Sequence, residues 1–522
     1  MDFSETTGDV VIVGAGATGL VAALRAHHRG LRPLLIEKST HIGGASVVSG
    51  GGVWMPNSHI SQHAGVQDSI PNALKYVETI IDDLEKEGFK WVHSTGYSYY
   101  YVEKEGGAVG TTIEGKIFDL KDLGDWQDFM LVRKAAGTFA MYTHEYRFVV
   151  NFRRTWEAVF AFLILMGRTM FWKLWGCLPV TLGMSLVAQL LLFVKLRGID
   201  VWRECLMVML HVEHGKVAGV VDKKDGADKL IRSDRGVMLC AGGFAKNAAM
   251  RQKHTKGPVS DKWTSVPHGD FGDAIQADAT LKIRCLFLPI DADSLIIQGQ
   301  EVGGDVALLD DAWWGPTFIN PQTGKTHFAL VERSLPTSTI VAPDCGRFMN
   351  ESQSYVDCGH AQYTRHQTVP AIPAWLIFDT QHHTFASGVI TKAATLPELA
   401  DKIEIDAENL VSTVRRFNAM ASIGKDEDFN RRDHVYDRYF GDASCKPNPN
   451  LPGDLGTKGS LVTDESARVF KDDGTPFQGL YAAGNNSASV MGRTYPGAGG
   501  TLGPAMIFAF AAMDHVAGIE ET

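Results

Sequence analysis

The chain has 522 residues, of which 45% are hydrophobic and 21% charged, so it can bury a substantial core and is not a disordered chain. Its formal net charge is -10 with no basic run to oppose it, which argues against nucleic acid as a partner. The 7 cysteines are scattered without metal-site spacing, as is typical of reduced thiols in the cytosol, and we assign no metal ligands. The start, MDFSETTGD, lacks an apolar stretch, so we expect no secretory signal.

A strand, a glycine-rich turn and a helix follow one another near the N-terminus. Residues 9–13 (DVVIV) predict a buried strand, and residues 20–28 have the apolar spacing of a helix. The turn between them carries three glycines in a GxGxxG pattern: Gly14, Gly16 and Gly19. Glycines at this spacing permit a tight turn and close approach of the backbone to a pyrophosphate at the helix N-terminus. A second strand, residues 33–36, ends at Glu37, where a carboxylate would accept hydrogen bonds from a ribose.

Three later segments favour a flavin over a nicotinamide cofactor. Residues 41–54 (HIGGASVVSGGGVW) place two glycine clusters and two serines directly after Glu37, so their backbone can lie against a flat, phosphate-bearing cofactor. Residues 236–244 and 479–485 each indicate a strand that ends in glycine. Such strands suit two further edges of a dinucleotide-binding domain that is discontinuous in sequence.

These elements, at the front, middle and end of the chain, resemble the fumarate reductase-like class of FAD flavoproteins over nearly the whole length. Within that class the chain is similar to 3-ketosteroid Δ1-dehydrogenases. Five stretches carry the resemblance: residues 49–57 (SGGGVWMPN), 96–101 (GYSYYY), 311–316 (DAWWGP), 346–351 (GRFMNE) with Tyr355 behind it, and 495–504 (YPGAGGTLGP). The last stretch is the most specific, whereas GRFMNE is shared widely across the superfamily.

The resemblance implies an α/β fold with a Rossmann-like, discontinuous FAD-binding domain and an inserted α+β catalytic domain. We place the FAD-binding domain in residues 1–280 and 448–522, with tyrosine-rich and apolar helical segments inserted at about 94–195. The catalytic domain would take residues 281–447, and the substrate would lie between the two. The Pro-, Asn- and Gly-rich loop 441–459 is the clearest boundary.

FAD is the expected cofactor, bound noncovalently. His41 lies beside the glycine clusters, but it suits a solvated turn better than a covalent flavin linkage. We assign cofactor binding to Gly14, Gly16, Gly19, Glu37, Lys38, Gly44, Ser46, Ser49, Gly51, Gly52, Ala241, Gly242, Gly484, Asn485, Thr501 and Leu502.

Dehydrogenation beside a ketone needs a hydride acceptor, a base for the proton alpha to the carbonyl, and donors for the developing enolate oxygen. The flavin would take the hydride from C1. By resemblance, Tyr495 and the backbone N–H of Gly499 would form the oxyanion hole, and Tyr355 would take the proton from C2. Tyr100 would assist Tyr355 through a hydrogen bond, because a phenol of pKa about 10 needs help to act as a base near neutral pH.

Several alternatives stay open at this point. Tyr99 and Tyr101 adjoin Tyr100, Tyr363 is a lesser rival to Tyr355, and tyrosines are often simply half-buried packing residues. We expect 1,2-dehydrogenation of a 3-ketosteroid or a similar tetracyclic ketone, with an external electron acceptor.

Three other functions compete with this expectation. The first is a flavoprotein acting at the 4,5 bond of a 3-ketosteroid. The second is a fumarate reductase-like oxidoreductase, for which Arg333 and Arg347 could clamp a dicarboxylate. The third is a non-catalytic flavin- or lipid-binding scaffold.

Residues 158–194 are unusually apolar and end in 21 uncharged residues, 174–194. They permit three interpretations: buried or cap helices, a monotopic patch on a bilayer, or a membrane span. Internal Arg168 and Lys173 disfavour a simple span. By resemblance, residues 183–202 form a soluble helix that leads into a strand. We expect a cytoplasmic protein, and a peripheral membrane contact through about 158–194 stays open beside the buried interpretation. Deleting or polarising residues 186–194 is expected to change recovery from membranes or solubility.

Overall fold

The structure is a computed structural model that describes residues 6–54, 81–96, 99–101, 109–110, 112–132, 139–152, 155–224, 227–255, 257–260, 263–264, 271, 304–319, 326–328, 330, 332–334, 337–379, 391–431, 433–434, 436–437, 454–471 and 473–518. Residues 55–57, Tyr97 and Ser98 of the resembling stretches lie outside this part, as does most of the loop 441–459. The division into domains at 280 and 448 therefore stays a prediction.

An eight-stranded sheet forms the centre of the fold. Six strands lie in the order Arg468–Phe470, Pro476–Ala482, Ala227–Leu239, Thr6–Val13, Pro33–Glu37 and Asp200–Arg203. Two more strands extend it: Lys216–Lys224 pairs antiparallel with Ala227–Leu239, and Leu206–Glu213 pairs antiparallel with Lys216–Lys224. The strand Thr6–Val13 pairs in parallel with both neighbours. The first, middle and last segments of the chain thus share one sheet, which confirms the α/β, Rossmann-like expectation.

Smaller sheets surround this centre. Their strands are Gly52–Trp54, Trp91–His93, Thr112–Gly115, Phe118–Asp119, Pro179–Val180, Val306–Ala307, Ala312–Trp314, Thr317–Ile319, Thr326–Phe328, Ser338–Val341, Trp375–Phe378, Asp454–Thr457 and Ser460–Leu461. The strand Thr112–Gly115 lies between the other two strands of a three-stranded sheet and pairs directly with Gly52–Trp54.

The described α-helices are Ala17–His28, Gly44–Val48, Tyr146–Asn151, Trp156–Leu174, Leu182–Leu196, Ala248–His254, Tyr355–His366, Leu396–Lys402, Ala407–Ile423 and Leu502–Ala517. Short 3₁₀ helices lie at Leu120–Phe129, Thr143–Glu145, Glu332–Ser334 and Gly484–Asn486. Strands and helices both occur between residues 304 and 437, in keeping with an α+β composition there.

The first and last helices pack together against one face of the main sheet. Their apolar side chains belong to one buried cluster. The buried Arg25 on the first helix donates from Nε to Asp514 on the last, with 2.7 Å between the atoms. The C-terminal helix is therefore fixed to the N-terminal dinucleotide-binding unit, which brings the run 495–504 to that unit.

The apolar segment 158–194 divides into two helices of opposite exposure. Leu182–Leu196 is buried along most of its length and leads into the strand Asp200–Arg203, as the resemblance implied. The expectation that residues 186–194 contact a bilayer is wrong, because all of them except Leu192 are buried in the core. Trp156–Leu174 instead exposes a long apolar face. Among the described residues, none of the helices combines the length and apolar character that a membrane crossing needs.

Candidate active site

The GxGxxG turn forms a closely packed cradle at the carboxyl end of the first strand. Gly14 has a φ of +105°, and a Cβ there would overlap the backbone of Cys240. A Cβ at Gly19 would overlap the carbonyl oxygen of Gly14. Both positions therefore require glycine. The helix Ala17–His28 begins directly behind the turn with Gly16 as its N-cap, so the positive end of the helix dipole lies at the turn and favours an anion there.

Glu37 stands at the end of the second strand, beside this turn. Its Oε2 atom accepts a hydrogen bond from the backbone N–H of Ala15, and its Oε1 atom accepts one from the backbone N–H of Ser39. The nitrogen–oxygen distance is 2.9 Å in both. Each carboxylate oxygen can accept more than one hydrogen bond, and the end of the second strand is the position from which an acidic side chain accepts from ribose hydroxyls. The structure thus places the predicted acidic residue where the pattern requires it.

The glycine- and serine-rich segment after Glu37 lies against the cradle. Ser46 Oγ accepts from the N–H of Ala17 over 3.1 Å. Ser49 Oγ donates to the carbonyl oxygen of Ser46 over 2.7 Å and accepts from the N–H of Gly51 over 3.1 Å. A Cβ on Gly51 would overlap the backbone of Leu182, so this segment is clamped by the buried helix behind it.

Two assigned residues lie at the edge of this segment. Gly44 is exposed at the start of its helix. Lys38 is partly exposed, and its ammonium lies 5.3 Å from the centroid of the Phe271 ring. Neither is enclosed as the other cradle residues are.

Residues from the middle and the end of the chain complete the cradle beside the glycine turn and the glycine- and serine-rich segment. The N–H of Ala241 donates to the side-chain oxygen of Asn486, and Gly242 follows with a φ of +85°. Asn485 Oδ1 accepts from the indole N–H of Trp313 over 3.2 Å. Gly484 lies close enough to the first helix that a Cβ on it would be 3.1 Å from Thr18 Oγ1.

The glycine run near the C-terminus closes the ring of segments. Gly499 has a φ of +88°, and a Cβ on it would overlap the backbone of Gly52 and Trp54. Thr501 and Leu502 begin the last helix immediately afterwards. The five assigned segments are 14–19, 37–52, 241–242, 484–485 and 501–502. Together they present glycine backbone, helix N-termini and one carboxylate. These residues fit FAD: the glycine turn would hold its pyrophosphate, and Glu37 would hold its ribose.

Four buried tyrosines cluster beside the glycine run. The ring centroid of Tyr100 lies 5.2 Å from that of Tyr355, 5.4 Å from that of Tyr495 and 4.2 Å from that of Tyr436. Tyr355 and Tyr495 are 5.3 Å apart by the same measure. All three predicted tyrosines are less than one tenth exposed and lie in one cluster with Trp313 and Trp314.

The Tyr495 hydroxyl is the meeting point of several hydrogen-bonding groups. Burial raises its pKa, while hydrogen bonds with the Tyr355 and Thr501 hydroxyls and with the backbone N–H of Gly499 lower it. Burial prevails, so Tyr495 stays a neutral phenol that can donate. The structure therefore brings together the hydroxyls of Tyr355 and Tyr495 and the N–H of Gly499.

The neighbouring tyrosines separate clearly. The Tyr99 ring packs on Trp54, with 5.7 Å between centroids. The Tyr101 hydroxyl donates to Asp357 Oδ1 over 3.1 Å. Tyr363 donates to the backbone carbonyl of Pro258 over 3.0 Å. Tyr100 is therefore the buried member of the tyrosine run whose ring contacts those of Tyr355 and Tyr495, whereas Tyr101 is partly buried and packs against the cluster from outside.

Sequence reasoning missed Tyr436, the fourth member of the cluster. It is 2% exposed, and a hydrogen bond with Tyr100 is one of the interactions that lower its pKa against the larger, raising effect of burial. Arg333 lies behind it, with 3.5 Å between a guanidinium nitrogen and the Tyr436 hydroxyl oxygen. No recognisable motif surrounds Tyr436 in the sequence.

A buried ion pair supports Trp313 beside the cluster. Lys458 is fully buried, its Nζ atom lies 3.3 Å from Asp311 Oδ2, and it is 5.0 Å from the Trp313 ring centroid. Burial lowers the pKa of Lys458, which the charge of Asp311 opposes. Asp311 also accepts from the His360 ring and the Trp314 indole, each over 2.8 Å. The stretch DAWWGP thus joins the cluster to Asn485, whereas Lys458 carried no sequence signal.

The two arginines considered for a dicarboxylate clamp are engaged elsewhere. Arg347 pairs with Glu351 over 2.9 Å and with Asp426 over 2.8 Å, and its side chain is 4% exposed. Arg333 donates to the backbone carbonyls of Glu351 and Gln353 over 3.2 and 2.6 Å. Neither side chain presents a free cationic face to a cleft.

Fold and cradle define the chain as an FAD-binding flavoprotein. The family model described as FAD binding domain matches residues 9–292 and 292–502, almost the whole chain.

Individual relatives narrow this class. The chain is 38% identical to the 3-oxosteroid 1-dehydrogenase of Mycobacterium tuberculosis, over 98% of both proteins. It is 31% identical to the 4-oxocyclohexanecarboxylate 2-dehydrogenase of Sinomonas cyclohexanicum, over 98% of this chain and 93% of that one. Its fold matches the crystal structure of 3-ketosteroid delta1-dehydrogenase from Sterolibacterium denitrificans in complex with 1,4-androstadiene-3,17-dione, with a TM-score of 0.87 and 31% identity over 98% of this chain and 100% of that one. The chain belongs to the 3-oxosteroid 1-dehydrogenase family, as the resemblance implied.

Proposed function

We propose that this protein removes the hydrogens at C1 and C2 of a 3-ketosteroid or a steroid-like 3-keto tetracycle. The observation that carries the proposal is the convergence of the Tyr355 hydroxyl, the Tyr495 hydroxyl and the Gly499 N–H beside an FAD cradle. A relative of the same family is bound to 1,4-androstadiene-3,17-dione, a ketone with a double bond between C1 and C2.

Each group has one role in this reaction. Tyr355, as the phenolate, takes the C2 proton. Tyr495 and the N–H of Gly499 donate to the C3 oxygen, on which negative charge grows as the proton leaves. Bound FAD supplies the acceptor for the hydride that leaves C1, so the substrate loses one proton and one hydride and gains a double bond. The assigned cradle residues hold FAD noncovalently, and an external electron acceptor completes the cycle.

His41 supports the noncovalent assignment. It is exposed on a turn, where its Nδ1 atom lies 2.8 Å from Thr40 Oγ1. Acid precipitation is expected to release all yellow colour into the supernatant. Colour that stays with the pellet would contradict noncovalent binding.

Anaerobic flavin reduction tests the reaction. The purified yellow protein is mixed with a panel containing 3-ketosteroids saturated at C1–C2 and 4-oxocyclohexanecarboxylate, and flavin bleaching is followed by stopped flow. We expect bleaching by a 3-ketosteroid and a product with a C1–C2 double bond. A C4–C5 product would establish the 4,5 alternative. Absence of bleaching with every ketone would contradict the proposal and restore the scaffold interpretation.

Fumarate reduction is a separate outcome of the same set of experiments. Chemically reduced enzyme mixed with fumarate is expected to stay reduced, because Arg333 and Arg347 are held by carbonyl and carboxylate groups. Rapid reoxidation would revive the fumarate reductase alternative.

We also propose that the helix Trp156–Leu174 rests on a lipid bilayer. Seven of its exposed large apolar residues recur at spacings of three, four and seven positions, which place them on one face: Trp156, Phe160, Leu163, Ile164, Met170, Phe171 and Leu174. Trp156 at one end and Trp175 at the other are 79% and 71% exposed. Tryptophan at both ends of an apolar face suits the boundary between headgroups and acyl chains, and an apolar substrate would reach the enzyme through the same phase.

Vesicle flotation tests this contact. A Phe160→Glu/Phe171→Glu variant is expected to leave the lipid fraction while keeping its FAD and its rate with a dispersed substrate. The control is Ile423→Glu, which removes an equally exposed apolar residue at the end of a distant helix and should float as wild type does. Equal flotation of all three proteins would contradict the proposal. A change of sedimentation without a change of flotation would identify a second copy of the chain as the occupant.

A further inference from the structure

Arg333 is a fully buried cation without a carboxylate partner in the described part of the chain. Its side chain is 0% exposed, and its described ion-pair and hydrogen-bond partners are two backbone carbonyls, the Cys358 thiol and the Tyr436 hydroxyl. Its Nε atom is buried with no partner among the described residues. A cation in such a place is costly unless negative charge develops close to it.

Besides the Cys358 thiol, whose sulfur lies 3.2 Å from an Arg333 nitrogen, the groups beside Arg333 that can carry such charge are the tyrosines of the cluster. The Tyr436 hydroxyl lies 3.5 Å from a guanidinium nitrogen of Arg333, and the Tyr436 and Tyr100 rings pack together with 4.2 Å between their centroids. The Tyr100 ring meets the Tyr355 ring edge-on at 5.2 Å. The backbone N–H of Tyr100 also donates to the carbonyl oxygen of Pro496 over 2.8 Å, which ties Tyr100 to the run that carries Tyr495. A continuous line of contacts therefore leads from the guanidinium to the base.

We propose that Arg333 and Tyr436 form a buried pair behind Tyr100 that stabilises the phenolate in the tyrosine cluster and so sets the lowest pH at which the site can accept the C2 proton. Both are positioning residues, since neither adjoins the oxyanion hole, and the pair transfers no atom. The inference rests on the proposed function, because it concerns the base of that reaction.

Other ionisable groups lie near Arg333 and Tyr436, and their charges also affect the tyrosine cluster. Cys358 and Asp357 approach from the helix Tyr355–His366, and Asp437 adjoins Tyr436. Burial raises the pKa of Cys358 to about 12, so the thiol adds no negative charge near neutral pH. Burial also raises the pKa of Asp357, whose carboxylate accepts from Tyr101. Asp437 accepts from the side-chain amide of Asn350 over 2.8 Å.

The guanidinium keeps its charge in this setting. Burial acts to lower the pKa of Arg333, but Cys358, Tyr436 and Tyr100 raise it above its usual value. The positive field at Tyr436 is therefore permanent over the working pH range. A hydrogen bond to a charged group changes a proton affinity by about tenfold or more, which corresponds to about one pH unit.

The test is the pH dependence of single-turnover flavin reduction in Tyr436→Phe holoenzyme. We expect the rising limb of the rate profile to move upward by about one pH unit, with most of the wild-type rate recovered at high pH. Arg333→Lys, which keeps the charge, should shift it less than Arg333→Met. The matched control is Tyr481→Phe, which removes a buried hydroxyl bonded to His515 at 2.9 Å in the FAD-binding part and should leave the limb in place.

Two results would overturn the inference. One is a Tyr436→Phe profile that coincides with wild type, and the other is a loss of rate that is equal at every pH, as mere packing damage would give. A second readout needs no turnover: near-ultraviolet titration should show one tyrosine ionising at a lower pH in wild type than in Tyr436→Phe. If wild-type flavin is not reduced by any 3-ketosteroid, the proposed function fails. If wild type reacts and Tyr436→Phe keeps its profile and titration, only the inference fails.

Discussion

The hydroxyl of Thr112 donates a hydrogen bond of 3.2 Å to the carbonyl oxygen of Ala498. The same peptide unit carries the N–H of Gly499, so this bond fixes the direction in which that N–H points. Thr112 is 2% exposed and lies on the strand that pairs with Gly52–Trp54, on which the glycine run packs. The strand Thr112–Gly115 thus contacts both the proposed cofactor cradle and the peptide that carries the proposed oxyanion donor, the N–H of Gly499.

Thr112→Val is therefore expected to lower the rate of flavin reduction about 2- to 10-fold, because a hydrogen bond contributes about 0.5–1.5 kcal/mol. The valine keeps the shape of the side chain and removes the hydroxyl. Thr112→Ser should recover most of the loss. Stopped-flow reduction at saturating 3-ketosteroid measures the effect, and full activity of Thr112→Val would show that the Gly499 peptide needs no such support.

Tyr495→Phe should bind FAD and fold normally, yet lose about 10²–10³ in single-turnover flavin reduction. The loss belongs to the chemical step, because the bond to the C3 oxygen strengthens as enolate charge develops. Tyr363→Phe is the control, since its hydroxyl donates to the carbonyl of Pro258 outside this network. Near-normal reduction in Tyr495→Phe would remove it from the oxyanion hole.

Comparison with the two other tyrosines separates their roles. Tyr355→Phe should be at least as damaging as Tyr495→Phe, because it deletes the proposed base, whereas Tyr100→Phe should be milder. Wild-type rates in both Tyr355→Phe and Tyr495→Phe would exclude the mechanism proposed for this site.

Gly19→Ala should abolish FAD binding, because its Cβ would overlap the carbonyl oxygen of Gly14 at the start of the helix. Gly167→Ala is the control: that glycine lies in the helix Trp156–Leu174, where an added Cβ would have no described neighbour within 4 Å. The ratio of flavin to protein absorbance after purification measures both. A yellow, fully loaded Gly19→Ala protein would show that the turn can open without loss of the cofactor.

The FAD-binding half could be read from local patterns because its signals lie within short windows. The strand at residues 9–13, the glycine turn and Glu37 are contiguous, and the structure extends the strand to Thr6–Val13 with Glu37 closing the turn. The tyrosine roles came from resemblance alone. Tyr436 had neither a motif nor a resembling stretch, and it joins the cluster only through tertiary packing.

The apolar segment shows the opposite case, in which composition misled. Hydropathy treats residues 174–194 as one stretch, yet the strand Pro179–Val180 interrupts it. Tertiary packing decides which of the two helices, Trp156–Leu174 or Leu182–Leu196, is exposed. Leu182–Leu196 packs in the hydrophobic core. A sequence window contains no information on that choice.

Arg347→Leu should destabilise the protein by about 3–5 kcal/mol, because it leaves the buried carboxylates of Glu351 and Asp426 without their shared cation. Arg416→Leu is the matched control, since Arg416 is largely exposed and pairs with Asp428 at the surface. It should change stability little. Urea denaturation followed by tryptophan fluorescence measures both variants. Equal midpoints would show that the network is not a major source of stability.

The last prediction concerns Glu114, which is fully buried on the strand that also carries Thr112. Burial raises its pKa to about 7, although hydrogen bonds from Ser94 and Thr143 oppose this increase. The carboxyl group of Glu114 accepts hydrogen bonds from the Ser94 hydroxyl, at 2.7 Å, and from the Thr143 hydroxyl, at 2.9 Å. It is thus a carboxylic acid in the folded protein at a pH where the unfolded chain would ionise it.

The sign of the effect follows from proton binding. The ordinary pKa of a glutamate is 4.5, and the pKa of Glu114 in the folded protein is about 7. Between these two pH values the folded state holds the proton more tightly than the unfolded state. The contribution of Glu114 to stability is therefore fully present below pH 4.5 and is lost as pH rises through 7. The loss amounts to about 3 kcal/mol, because a tenfold difference in proton affinity corresponds to about 1.4 kcal/mol.

Glu114→Gln isolates this contribution, because glutamine resembles the protonated acid and does not titrate. The variant and wild type should have similar stability at pH 5, and wild type should become the less stable of the two as pH rises to 8. Histidine titration affects the stability of both proteins equally, so its contribution drops out of the difference between their urea midpoints. A difference that stays constant from pH 5 to 8 would mean that Glu114 is ionised throughout, with its charge stabilised by Ser94 and Thr143.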